Sequence, residues 1–222
     1  MYTVAVIAEK GGVGKTTIAL ALAVAATGDG KRAVVIDTDP QATASKWTDR
    51  REAEFPWVVP THAARLRAAI EQAKGQGIEF LVIDTPPHAG MDAAEAARLA
   101  DVVVIPAEPH LFTLETLPKL LDLLKLAGDP PAFVVVNRAT TQGKEGEQAA
   151  GHIRAMGLAV CPVVIHQRAA HRHAGNVGQA AIEFEPDSKA ANESLNLYTY
   201  TLQLINNRSR IHAEAKPART GA

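Results

Sequence analysis

Two lysines five residues apart, and three aspartates that close apolar runs, are the residues of this sequence best placed to do chemistry. The lysines bracket Lys10-Gly11-Gly12-Val13-Gly14-Lys15-Thr16-Thr17, which follows an apolar run and leads into an Ala/Leu-rich stretch. Glycines let the backbone curl until successive N–H groups face phosphate oxygens, and the start of the next helix adds a favourable dipole. In such a loop Lys15 reaches the β- and γ-phosphates, and the Thr16 hydroxyl can ligate Mg²⁺. The strict G-x-x-x-x-G-K-[ST] pattern is not met, because Glu9 stands where its first glycine belongs and Lys10 follows it. A dinucleotide G-x-G-x-x-G fits less well, since Thr17 takes the place of the third glycine. Phosphate binding is therefore the chemistry of this segment.

The aspartates are Asp37, Asp39 and Asp84, in Val34-Val35-Ile36-Asp37-Thr38-Asp39 and Phe80-Leu81-Val82-Ile83-Asp84. A magnesium–nucleotide site needs an acidic partner for the metal and a group that orients the attacking water. Carboxylates at strand ends beside a phosphate loop suit both tasks. The alternative for Asp37 and Asp84 is the capping of strand ends or of the helices that follow, and the spacing leaves it more open for Asp37 than for Asp84.

The elements that must hold these groups read as alternating strands and helices. Short apolar runs at 3–8, 33–36, 80–83, 102–105, 133–136 and 159–165 show little alternation, as strands buried on both faces do. Helical periodicity covers 16–27, 62–74, 93–99, 111–126 and 147–156. This pattern predicts an α/β fold, one mostly parallel twisted sheet with helices on both faces and ligands at the carboxyl ends of its strands. The pattern loosens from His166 to Pro186. It returns as one helix over 188–207, with Asp187 or Ser188 as N-cap. The expected organisation is one domain over residues 1–208 and a disordered tail over 209–222.

Composition sets outer bounds. The chain has 222 residues, 47% hydrophobic and 21% charged, enough for a single core without staples. Its one cysteine, Cys161, excludes an internal disulfide and suits a reducing cytosol. No signal peptide or membrane span is legible, so the expected location is cytoplasmic. The net charge of −1 divides unevenly: residues 1–137 hold 13 basic and 17 acidic side chains, residues 138–222 hold 10 and 7. Any nucleic-acid contact belongs to the C-terminal third. His166, His171 and His173 match no zinc spacing, and they add pH-dependent positive charge to that third.

The Lys10…Lys15 loop resembles the deviant Walker A motif of the ParA/MinD family of P-loop ATPases. Three further segments match that family in order: 34–41, 80–87 with its Walker B strand, and Phe133-Val134-Val135-Val136-Asn137-Arg138. The chain opens on its first strand, which is similar to the small ParA type without an N-terminal DNA-binding domain. The resemblance implies ATP and Mg²⁺ as cofactors. Gly11, Gly12, Val13, Gly14, Lys15, Thr16 and Thr17 would bind the phosphates, and Asn137 and Arg138 the adenine side. It implies Thr16, Asp37 and Asp84 at the metal and Asp39 at the hydrolytic water. Lys10 would reach across a nucleotide-sandwich homodimer to the partner's phosphates.

Other branches are disfavoured. Nitrogenase iron proteins and arsenite ATPases need cysteines this chain lacks, bacterial tyrosine kinases carry a C-terminal tyrosine cluster, and MinD-like proteins end in a basic membrane helix. A ParA-type ATPase remains: dimeric with ATP, bound to non-specific DNA of the nucleoid, and stimulated by a ParB-like or other cargo adaptor in plasmid or chromosome partition. Arg168, Arg172, Arg208 and Arg210 are the candidate DNA contacts. Two alternatives stand beside this reading: a nucleotide-dependent protein-positioning adaptor that binds no DNA, and a small-molecule ATP-dependent ligase.

Overall fold

The computed structural model describes residues 1–88 and 90–214, with residues 208–214 described as helix backbone alone. The elements run in this order: β1 (Tyr2–Val6), α1 (Lys15–Gly28), β2 (Ala33–Asp37), α2 (Thr43–Thr48), β3 (Trp57–Pro60), α3 (Leu66–Gly75), β4 (Phe80–Asp84) and α4 (Met91–Leu99). They continue with β5 (Val102–Ala107), α5 (Leu111–Leu114), α6 (Leu117–Leu126), β6 (Ala132–Val136), α7 (Glu145–Ala155), α8 (Ala169–Asn176), α9 (Ala181–Phe184) and α10 (Lys189–Glu214). The strands form one sheet in the order β3-β2-β4-β1-β5-β6, and every pairing is parallel.

Side chains alternate across a strand, so each strand feeds both faces of the sheet. In β1, Val4 and Val6 enter the layer built with Leu22 and Ala23 of α1 and Leu197 of α10. Ala5 and the following Ile7 enter the opposite layer, with Leu66 and Ile70 of α3, Ala97 of α4 and Leu120 of α6. That two-sided burial explains the continuous apolar runs. It also leaves only strand ends and loops to carry polar chemistry. Among the described residues no helix is long and apolar enough to cross a membrane.

Three expectations about elements are corrected, and one unexpected strand is added. The run 159–165 is not a strand of the sheet. It lies beside β6 through Cys161 N–H to Val134 O (2.8 Å) and Ile165 N–H to Val136 O (2.9 Å), with Pro162, which has no N–H, between them. β3 takes its place at the far edge, a four-residue strand that ends in Pro60. The stretch 111–126 is two helices, because Pro118 at the start of α6 suits a first turn and not a helix interior. The last helix runs to Glu214, past the expected end at 207. Its start is as expected: the Ser188 hydroxyl accepts the Ala191 N–H at 3.1 Å. The rest of the expected tail, 215–222, lies outside the described residues.

Candidate nucleotide site

The loop between β1 and α1 lies at the carboxyl edge of the sheet, where β1 is flanked by β4 on one side and β5 on the other. Gly12 and Gly14 both adopt left-handed backbone, with φ of 83° and 91°. Gly14 is glycine for a second reason: a Cβ there would run into the Asn137 side-chain amide. As the N-cap of α1 it offers no side chain to the helix's first N–H groups. Those groups are left for an anion, and the helix dipole points at the same place.

Asn137 and Arg138, expected on the adenine side, brace the loop from behind. Asn137 Nδ2 donates to Val13 O at 2.7 Å. Arg138 Nη1 donates to Gly12 O at 2.6 Å and pairs with Glu108 at 2.9 Å. Both residues also border the cavity described below.

Lys15 is only 7% exposed, and its Nζ donates to Lys10 O at 3.4 Å. Burial draws its pKa below the ordinary lysine value, while the charges of Asp84 and Asp39 oppose that pull. Asp37 and Asp84 are register partners on adjacent strands, so two buried carboxyls stand side by side. They are not equivalent. Asp37 accepts the Asp39 N–H (3.1 Å), the Ser45 N–H (3.2 Å) and the Ser45 hydroxyl (3.4 Å), which engages both of its oxygens in holding the 39–45 loop and the start of α2. Burial nevertheless pushes its pKa up.

Asp84 is 1% exposed, and neither of its oxygens has a hydrogen-bond partner. Burial first, then the negative charges of Asp37 and Asp39, push its pKa up to about 7. The neighbouring Thr16 hydroxyl and Lys15 oppose the shift, with Thr16 close enough to favour the charged form yet outside hydrogen-bonding geometry. An unpaired buried carboxyl is costly, and a divalent cation beside a hydroxyl is the partner that fits it. Asp84 with Thr16 is thus the donor set that could hold Mg²⁺, with Asp37 alongside on the neighbouring strand. Asp39, half-buried, accepts the Gln41 N–H at 2.9 Å and faces a second cavity of about 500 Å³ toward β3.

On the other side of the loop, Lys10 lies with its ammonium 5.5 Å from the centroid of the Phe112 ring. Phe112 and Leu111 of α5 and Met91 of α4 are strongly exposed. Glu9 pairs with Lys119 at 3.5 Å.

A cavity of about 540 Å³ continues from the loop, bordered by Gly12, Gly14 and Thr17 on one side and residues 165–172 on the other. The candidate DNA contacts separate here. Arg168 lines this cavity and is bonded to Glu193, with Nη2 to Oε1 at 2.6 Å, so its guanidinium is committed within the fold. Arg172, on α8, is exposed. The side chains of Arg208 and Arg210 lie outside the described residues. The three histidines diverge: His166 Nδ1 lies 2.8 Å from Glu193, His173 packs edge-on to Phe184, and the buried Nε2 of His171 has no hydrogen-bond partner.

A parallel sheet whose first strand ends in a glycine loop, with a buried lysine and an unpaired aspartate aimed at the same place, defines a P-loop nucleotide-binding protein. The comparisons place it further. The family model for the CobQ/CobB/MinD/ParA nucleotide binding domain matches residues 4–181, and the chain belongs to that family. It is 30% identical over 186 residues to the maintenance of carboxysome distribution protein A of Gloeobacter kilaueensis, covering 82% of this chain and 84% of that protein. It is 27% identical over 164 residues to the sporulation initiation inhibitor protein Soj of Bacillus subtilis, covering 55% and 64%. The cell division ATPase MinD of Pyrococcus furiosus superposes with a TM-score of 0.73 over 91% of this chain and 99% of that one, at 22% identity. The family is thus one of nucleotide-binding ATPases, and a Pyrococcus horikoshii MinD of the same fold was solved with Mg-ADP (TM-score 0.72, 20% identity, 90% and 95% covered).

Proposed function

We propose that this chain is a ParA-type ATPase that dimerises around ATP, binds DNA non-specifically in that state, and positions a cargo through an adaptor that stimulates hydrolysis. The observation that carries the reading is a buried Lys15 and a buried Asp84 carboxyl without a hydrogen-bond partner, both beside the glycine loop. The names of the relatives, which concern carboxysome distribution and sporulation control, support a positioning role.

Thr16 and Asp84 would hold Mg²⁺, which would supply charge neutralisation for the phosphates. The loop N–H groups and Lys15 hold the phosphates, and Asn137 and Arg138 keep the loop in shape. Asp39, anchored by the turn that Asp37 holds, orients the attacking water. Lys10 leaves its resting place on Phe112 to meet the phosphates of a second copy.

Asp39→Ala is expected to lower ATP turnover about a hundredfold, the usual size of a lost water-orienting or general-base group, while the ATP-bound dimer persists in size-exclusion chromatography. Turnover equal to that of the parent chain removes Asp39 from the mechanism.

DNA binding is tested by gel shift on random duplex DNA without nucleotide, with ADP and with ATP. Retention is expected with ATP alone, and Arg172→Glu is expected to weaken it and to reduce the salt slope by about 1. The commitment of Arg168 to Glu193 favours a second reading, a nucleotide-dependent positioning adaptor that uses no DNA. Failure to retain DNA with any nucleotide, together with an intact ATP-dependent dimer, selects that reading. The expected location is the cytoplasm, with the nucleoid as the ATP-bound site under the first reading.

A further inference from the structure

Glu193 lies on the second turn of α10, far along the chain from the phosphate loop, yet it is the most heavily bonded acid near the cavity. Its Oε2 accepts the His166 N–H at 3.1 Å, and its Oε1 lies 2.8 Å from His166 Nδ1. Arg168 approaches the same carboxylate side-on, with Nε to Oε1 at 3.1 Å, Nε to Oε2 at 3.3 Å and Nη2 to Oε1 at 2.6 Å. The side chain of Glu193 is 14% exposed and that of Arg168 22%, so the pair is largely out of water. A helix can be tied to a sheet more cheaply by apolar packing than by a desolvated ion pair. What the carboxylate adds is direction, since side-on pairing with an arginine fixes both planes.

The segment it holds is gripped from the opposite side as well. Ile165 N–H donates to Val136 O (2.9 Å), and Gln167 N–H donates to Ala139 O (2.9 Å). Those acceptors flank Asn137 and Arg138, which brace the phosphate loop. Residues 166–168 are thus held between the β6 end and α10, and they face the cavity that opens from Gly12, Gly14 and Thr17. At about 540 Å³ and open beside the loop, that cavity has room for the sugar and base of a nucleotide whose phosphates sit on the loop.

We propose that Glu193 is a positioning residue for the base and ribose of the bound nucleotide, fixing His166 and Arg168 as the wall of the cavity that continues from the phosphate loop. The inference rests on the nucleotide-binding reading above. It also gives Arg168 a place in nucleotide recognition instead of DNA contact. The clamp acts on the end of the ligand that ATP and ADP share and inorganic triphosphate lacks.

The test is calorimetric titration of the parent chain, Glu193→Ala and the isosteric Glu193→Gln with ATP, ADP, GTP and inorganic triphosphate, all with Mg²⁺. Glu193→Ala is expected to weaken ATP and ADP alike by about tenfold, to narrow the preference for ATP over GTP, and to leave triphosphate affinity unchanged. Glu193→Gln, which keeps an acceptor but loses the charge, is expected to fall between. Should the alanine variant fail to fold, Glu193→Gln carries the same comparison. Unchanged ATP and ADP affinities in a folded variant overturn the clamp, as does a parallel loss of triphosphate binding, which belongs to general loosening. A parent chain that binds triphosphate but neither ATP nor ADP overturns the assignment of the cavity, and one that binds none of the ligands overturns the nucleotide reading itself.

Discussion

Replacing Lys15 by alanine is expected to abolish ATP binding at millimolar nucleotide, a loss of about a hundredfold or more in affinity. The effect is electrostatic before it is steric. Lys15 is buried at the start of α1, within reach of the charges of Asp84 and Asp39. Its ammonium is the positive charge of this group, and burial already lowers its pKa. Removing it leaves the carboxyls of Asp84 and Asp39 beside a polyanion, with only loop N–H groups to attract the phosphates. Truncating one member of a desolvated charge pair costs roughly 2–5 kcal/mol, and every 1.4 kcal/mol is a factor of ten in affinity. Arginine is a poor substitute, because its planar fork is longer and does not act as a point charge at a curled backbone. Titration with ATP and Mg²⁺ at neutral pH decides the matter. Affinity within about threefold of the parent chain, under 1 kcal/mol, would place the phosphates elsewhere.

The parts of this site that could be read from residues alone are those that depend on a single stretch of chain. The glycine loop, Lys15 and Thr16 are contiguous, and Asp37 and Asp84 end strands whose apolar runs are unmistakable. What pairs distant segments was not legible. Ser45 holds Asp37 only because α2 begins where it does. Glu193 meets Arg168 because α10 packs back along the sheet, and no local pattern marks that acid apart from any other polar helix residue. The same holds for Phe112, whose exposure beside Lys10 follows from the break that Pro118 imposes between α5 and α6. In the fold, the elements that depart from the apolar pattern carry prolines: Pro162 interrupts 159–165, and Pro60 ends the short edge strand β3. The C-terminal extension of α10 is hidden for another reason. Once a helix is nucleated and packed, each added residue needs only its own hydrogen bond, and no proline occurs between Lys189 and Pro217.

The second large effect concerns Asp84, whose unmet oxygens set stability against function. In the unfolded chain an aspartyl carboxyl titrates near its model value of 3.8, and in the folded protein near 7. A raised acid pKa means that the folded state binds the proton more tightly. The stabilisation tied to that proton is fully present below the unfolded value and is lost as pH rises through about 7. By pH 8 the ligand-free protein carries an ionised, unpaired carboxylate at a cost of a few kcal/mol, since one pKa unit is worth about 1.4 kcal/mol. An asparagine amide at this position would mimic the protonated form at every pH. Asp84→Asn is therefore expected to raise the melting temperature of the ligand-free chain at pH 8 by about 10–15 °C, given about 4 kcal/mol and roughly 2–4 °C per kcal/mol at this size. At pH 5 the gap should narrow to a few degrees, because the folded parent then keeps its proton and only the ionised unfolded chain, about one unit above its own pKa of 3.8, still favours unfolding. Adding Mg-ADP should reverse the order at pH 8: the cation satisfies Asp84 and stabilises the parent, whereas the variant has no carboxylate to offer it. Thermal melts of both proteins at the two pH values, with and without Mg-ADP, test each of these steps. Equal pH dependence in the two would mean that Asp84 is already paired in solution, and equal stabilisation by Mg-ADP would remove it from the metal.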